Sequence, residues 1–193
     1  GLIPFATPFD ETSVKWCVDL EYPVIKIASC SASDWPLLNR VAETGIPVAY
    51  STAGASVTTV DRAVALFRER SIPMLVNHCV GLYPAPVESL QIDQIGQLKE
   101  RYKDVVVGYS AHEAPSDVDV AALAIAAGAS VLERHVALST AKYSVNAYSI
   151  EADQIGAWMD SAIRAHKLMN AGRSRLYPEA EATSIAVSYT HLT

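Results

Sequence analysis

Short apolar runs rich in β-branched residues recur at 2–7, 24–29, 48–51, 74–78, 105–110 and 131–135, each bounded by Pro, Gly or Ser. Runs of this length, apolar on both faces, predict buried parallel strands. Between them the apolar positions shift to a helical period, predicting helices over 13–20, 35–43, 59–70, 89–102, 116–127 and 152–170. Asp34 ahead of Trp35-Pro36, and Thr58-Thr59 ahead of Val60, are expected to cap two of them. Trp16, Trp35 and Trp158 fall in helical stretches and are expected to pack.

Strand starts lie about 20 to 30 residues apart, the size of one unit when a barrel of ~250 residues is divided by eight. The alternation predicts an α/β fold of the TIM type, a (β/α)8 barrel that is incomplete, with about six βα units here and the first two strands expected upstream of Gly1. A doubly wound open sheet shares this alternation. No G-x-G-x-x-G follows a strand, which counts against its dinucleotide-binding form. The polar residues favour the barrel: Thr7, Lys26, Ser29, Ser51, His78, Ser110, His112, Glu133 and His135 all fall at or just beyond the carboxyl ends of strands, the catalytic edge of a parallel barrel. Both ends read as cut. Residues 1–186 read as one partial barrel catalytic domain, and 187–193 resembles the translation of a sequencing-library adapter, so His191 is set aside.

Composition narrows the function. Half of the 193 residues are hydrophobic and 19% are charged, enough apolar side chain for a packed core. The net charge of −6 and the absence of any Lys/Arg run speak against nucleic acid and anionic membranes as partners. No stretch approaches the ~20 apolar residues of a membrane span, and Gly1-Leu2-Ile3-Pro4-Phe5 lacks the basic lead-in of a signal peptide. Cys17, Cys30 and Cys79 are odd in number and show no C-x-x-C spacing, which argues against a disulfide framework and for a reducing cytoplasm.

His112 and His135 end neighbouring strands, so their imidazoles could converge on one divalent cation that also binds substrate or water. The alternative for each is a hydrogen-bonded structural histidine. Lys26 interrupts an apolar strand, and an unpaired buried ammonium is expensive. It reads as an anion clamp for phosphate or carboxylate; a snorkelling lysine and a Schiff-base lysine are the alternatives. Thr7, Ser29, Ser51, Thr52 and Ser110 offer hydroxyls that donate to phosphate oxygens, although each alone could be a helix cap. His78-Cys79 with Tyr83-Pro84-Ala85-Pro86 is expected to form a stiff loop over the mouth, with Cys79 a small buried hydrophobe.

Six short motifs in the order Ala6-Thr7-Pro8-Phe9, Lys26-Ile27-Ala28-Ser29, Tyr50-Ser51-Thr52, His78-Cys79 with Tyr83-Pro84-Ala85-Pro86, Gly108-Tyr109-Ser110-Ala111-His112 and Glu133-Arg134-His135 resemble the barrel of the sialic acid synthase (N-acetylneuraminate synthase) family. The resemblance implies condensation of phosphoenolpyruvate with an N-acylmannosamine-like sugar. It implies His112 and His135 as ligands of Mn2+ or Mg2+, and Thr7, Lys26, Ser29, Ser51 and Ser110 as the phosphoenolpyruvate cradle. Glu133 joins the catalytic set, and Tyr83 falls on the acceptor side. It implies a homodimer for the full-length protein, and an inactive fragment here. Four positions depart from the family pattern: Ser31, Gly81 and Ala111 each replace a polar or acidic residue, and Tyr143-Ser144-Val145 aligns with a G-P-D segment. The donor side is kept and the acceptor side altered. Glu113 could partly replace a missing acid, although a solvated loop carboxylate is the expectation.

Overall fold

Each predicted strand and helix is present in the computed structural model, which describes residues 2–169. The strands are β1 (Phe5–Ala6), β2 (Val24–Ile27), β3 (Val48–Ser51), β4 (Met74–Cys79), β5 (Val106–Ala111) and β6 (Val131–Arg134). They form one parallel sheet in the order β1-β2-β3-β4-β5-β6. Chain order equals spatial order throughout, whereas a doubly wound sheet reverses direction at a switch point. Unidirectional winding with a helix after each of the first five strands is barrel topology. Beyond β6 a parallel pair, β7 (Val136–Ala137) and β8 (Ile150–Glu151), extends the chain; these two short elements escape sequence periodicity because two residues carry none.

The helices are α1 (Glu11–Asp19), α2 (Trp35–Thr44), α3 (Val57–Glu69), α4 (Gln94–Arg101), α5 (Asp119–Ala126) and α6 (Ile155–Met169). Asp10 caps α1 through Oδ1, which accepts from Ser13 N at 2.7 Å. Asp34 caps α2 as expected, accepting from Leu37 N at 3.2 Å ahead of Pro36. At α3 the cap is Ser56, not Thr58-Thr59: its Oγ accepts from Thr59 N at 3.1 Å, so the helix starts earlier than the sequence suggested. The predicted helix 89–102 shortens to α4, because Val87–Ser89 is a single 3-10 turn and Gln91 adopts a φ of 46°. The end of the predicted helix 152–170, and the adapter-like 187–193, lie outside the described residues.

Alternation along each strand splits the residues between two environments. Ile25, Ile27, Val48, Tyr50 and Val76 pack outward against Val14, Leu37, Leu38, Val64 and Phe67 of the first helices, and all are essentially buried. Val107, Tyr109 and Ala111 do the same against Ile95, Val120, Ala124 and Trp158. Each fully buried aliphatic side chain contributes about 1.5–3 kcal/mol. The expectation that the strands are apolar on both faces is corrected here: residues of the opposite parity are Lys26, Ser51, Asn77, Ser110 and Glu133, and they face the interior of the sheet's curve together. Trp16 is a second correction. It is 60% exposed, on the side of α1 opposite the buried Val14 and Cys17. Trp158 is buried as expected, and Trp35 packs partly, with the Arg62 guanidinium 3.9 Å from its ring centroid.

Gly108 is required where the inner face is tightest. A Cβ there would stand 2.2 Å from Asn77 Oδ1 and 2.9 Å from the Val131 carbonyl oxygen, and the second neighbour is backbone. Gly108→Ala is therefore expected to destabilise the protein by about 1–3 kcal/mol through overpacking, read as a lowered midpoint in urea denaturation. An unchanged midpoint would show that β4 and β5 part without cost.

Candidate functional site

The carboxyl ends of β2 to β6 bring one polar cluster together. The Lys26 ammonium is ion-paired with Glu133 Oε1, across the sheet from β2 to β6. Ser110 Oγ donates to the same oxygen at 3.0 Å, and Asn77 Nδ2 reaches Oε2 at 3.4 Å. Glu133 thus collects three donors from three other strands. The Lys26 and Glu133 side chains are 23% and 30% exposed, which places the pair at an open mouth. The anion that Lys26 holds is therefore a carboxylate of the chain itself, a partner the spacing of the sequence could not reveal. An amine held by a carboxylate in this way is not free to attack a carbonyl, which opposes the Schiff-base alternative.

Two buried polar atoms beside this pair lack any partner among the described residues, the Ser51 hydroxyl and the acceptor Asn77 Oδ1. Unsatisfied buried polar atoms cost about 1–3 kcal/mol each, and a ligand or water that accepts from Ser51 and donates to Asn77 removes that cost. Ser29 sits in the turn after β2, its Oγ accepting from Ala53 N at 3.2 Å. Thr7 follows β1, half-buried, and its hydroxyl is not tied into the Lys26–Glu133 network among the described residues. Cys79 is buried as expected, and burial pushes its thiol up from the ordinary value.

His112 and His135 stand at the rim with ring centroids 5.2 Å apart, tilted 42° to one another. His112 Nδ1 lies 2.8 Å from the Val80 carbonyl oxygen. A carbonyl only accepts, so Nδ1 carries the proton and Nε2 keeps its lone pair, the arrangement of metal-binding histidines. His135 is the more open ring, and partial burial, then the nearby His112 ring, hold its pKa below the ordinary value. Both effects favour the neutral imidazole that ligates metals. Among the described residues no cluster of three or more His, Cys, Asp or Glu could hold a metal. The rim therefore offers two imidazole donors, and a cation held there would take its remaining ligands from water or substrate.

Tyr83 covers this rim, 4.3 Å from the His112 ring. Tyr148 stands edge-on to both Tyr83 and His135, at 5.2 Å from each. Sequence reasoning missed Tyr148, which lies in the loop before β8 with no pattern around it, and Asn77. For Asn77 a signal existed: it shares strand parity with Cys79 and is paired in register with Ser51.

Two expectations are corrected. His78 falls at the strand end but points outward, its Nε2 2.7 Å from the Leu90 carbonyl oxygen, and burial lowers its pKa. Glu113 is no solvated carboxylate: it is fully buried, with Oε1 2.6 Å from Arg134 Nη1 and Oε2 accepting from the Tyr109 hydroxyl at 2.8 Å. A cavity of about 610 Å3 opens between α3 and α4, lined by Thr52, His78, Gln94 and Tyr102 among others. Lys26, Glu133, His112 and His135 do not line it, although Val80, which does, is the carbonyl partner of His112 Nδ1.

The family model described as the NeuB family matches residues 1–174. The chain belongs to the NeuB family. An N-acetylneuraminate-9-phosphate synthase of Drosophila melanogaster is 33% identical over 165 residues, covering 84% of this chain and 44% of that protein. A pseudaminic acid synthase of Campylobacter jejuni is 29% identical over 175 residues, 90% of this chain and 50% of that protein. Among solved structures, a Chromobacterium violaceum protein described as a spore coat polysaccharide biosynthesis protein E superposes with a TM-score of 0.91 at 39% identity, over 96% of this chain and 55% of that one. The chain spans about half the length of the curated relatives it matches.

Against the NeuB pattern, the departures fall in definite places. Ala111 is fully buried and faces the helix layer, not the mouth. Ser31 is buried in the 3-10 turn after β2. Gly81 is exposed, and an added Cβ would meet Ala53 Cβ at an ordinary 3.5 Å. Tyr143 is exposed, with the Lys142 ammonium 4.9 Å from its ring centroid.

Proposed function

We propose that the full-length protein condenses phosphoenolpyruvate with an N-acylated aldose to a nonulosonic acid, with release of phosphate. The observation that carries this reading is the pairing of His112 and His135 above the Lys26–Glu133–Ser110 cluster. Family membership supports it, as do relatives named for sialic and pseudaminic acid synthesis.

Lys26, Ser29, Ser51, Ser110 and Thr7 bind the carboxylate and phosphate oxygens of the donor. Lys26 supplies the charge and the hydroxyls supply donors that leave the mouth's charge unchanged, Ser110 by turning its single proton from Glu133 to the bound oxygen. Glu133 holds the Lys26 ammonium and the Ser110 hydroxyl in place, and Asn77 steadies its second oxygen. His112 and His135 would hold a divalent cation, Mn2+ or Mg2+, which would supply a Lewis acid for the acceptor's aldehyde oxygen. The enol carbon attacks that aldehyde, forming the new C–C bond, and water then displaces phosphate. Tyr83 and Tyr148 wall the acceptor side.

A second reading, a non-catalytic ligand-binding member, draws on two observations: Lys26 already has an internal carboxylate partner, and the family's acceptor-contacting acid is replaced by Ser31 and its G-P-D segment by Tyr143-Ser144-Val145. The experiment that separates the two measures phosphate release from phosphoenolpyruvate by the protein expressed from its complete gene, with Mn2+ and a panel of N-acyl aldoses. Release that needs both cation and sugar is expected. No release with any sugar in the panel favours the non-catalytic reading.

A further inference from the structure

Glu113 and Arg134 flank the two rim histidines in the chain: Glu113 follows His112, and Arg134 precedes His135. Because successive side chains alternate in direction, the histidines reach the mouth while these two charges lie behind it. There they meet. Arg134 Nη1 stands 2.6 Å from Glu113 Oε1, with the side chains 2% and 0% exposed, and Arg134 Nη2 donates to the Glu113 backbone carbonyl at 2.9 Å. The Tyr109 hydroxyl fixes the other carboxylate oxygen. In the ladder Arg134 is paired with Ala111, so the ion pair extends the β5–β6 register just past the last ladder residue of β5, to where His112 stands.

We infer that the Glu113–Arg134 pair positions the two imidazoles, acting as a clamp behind the proposed metal site; this rests on the reading given under Proposed function. A buried ion pair is poorly suited to add stability, because desolvating two charges offsets most of their attraction. Its distinctive effect is geometric: it ties the backbone carrying one histidine to the side chain adjoining the other. His112 has further anchors, through Nδ1 to Val80 and its own carbonyl to Ala85 N at 2.9 Å. His135 has only a backbone tie, its carbonyl accepting from Ile150 N at 2.9 Å, and no hydrogen bond to its ring among the described residues. The ring with fewer anchors is the one that Arg134 adjoins. Glu113 and Arg134 are thus positioning residues, touching neither substrate nor cation.

The test replaces both charges at once, so that neither is left buried alone. The variants are Glu113→Leu with Arg134→Met, and Glu113→Gln with Arg134→Met, the second keeping an acceptor for Tyr109 in case the first does not fold. Two readouts are taken on folded protein: nuclear Overhauser contacts between the His112 and His135 rings without metal, and Mn2+ affinity by titration calorimetry. The expected result is loss of the ring-to-ring contacts and at least a tenfold weaker Mn2+ affinity, with the circular dichroism spectrum unchanged. Ring contacts preserved in a folded double variant would overturn the inference. Lost contacts in a protein whose wild type binds no Mn2+ would leave the clamp standing and remove the metal reading instead.

Discussion

Replacing His135 by alanine is expected to lower metal-dependent phosphate release by roughly 10^2–10^4-fold, because the Lewis acid contributes several kcal/mol at the reacting oxygen. The thermal midpoint should hardly move, since the His135 ring makes no hydrogen bond among the described residues and sits at the open rim. His112→Ala is expected to lose activity to the same degree and also some stability. Its ring is 5% exposed and its bond to Val80 would be lost, a cost of about 1 kcal/mol before packing is counted. The pair of results is diagnostic. Activity retained in His135→Ala, with Mn2+ affinity unchanged, would reduce the two histidines to structural residues. Titration calorimetry with Mn2+ alone and phosphate release at saturating donor read the two quantities separately.

The second large effect concerns Lys26. Lys26→Met removes the charge proposed to bind the donor, and the KM for phosphoenolpyruvate is expected to rise at least ~100-fold, the scale of one charge-assisted contact. The same change leaves Glu133 without its cation. That costs stability, though less than the ~3–5 kcal/mol of a fully buried pair, because both side chains remain partly exposed. Glu133→Gln separates the two consequences. It keeps an acceptor for Ser110 while freeing Lys26, so donor affinity should hold or improve even as turnover falls. The double variant Lys26→Met with Glu133→Gln should recover the stability lost in the single lysine variant without recovering donor binding. Donor affinity unchanged in Lys26→Met, by calorimetry with phosphoenolpyruvate, would show that Lys26 serves Glu133 alone.

Much of the architecture was legible before any coordinates. The alternation of β-branched runs and helical periods placed all six strands of the main sheet to within a few residues, since each strand is a local run that must be buried. The polar residues at strand ends pointed to the mouth, and Lys26, Ser110 and Glu133 do meet there. Errors arose where one-dimensional spacing is silent about direction. His78 and Asn77 are chain neighbours, yet one faces the helices and the other the interior. Trp16 looked like core because tryptophan usually packs, but the helical face that α1 turns inward carries Val14 and Cys17.

The sequence by itself determined the order of elements, the parallel winding and the rim where the polar side chains gather, because these follow from hydrophobic period and the position of polar residues along single strands. Tertiary structure alone decided the partners. Lys26 and Glu133 are separated by more than a hundred residues and Glu113 and Arg134 by twenty-one, and a salt bridge depends on which strands lie side by side and which way their alternate residues point. That information is set by strand order and register, and no local pattern of the chain carries it.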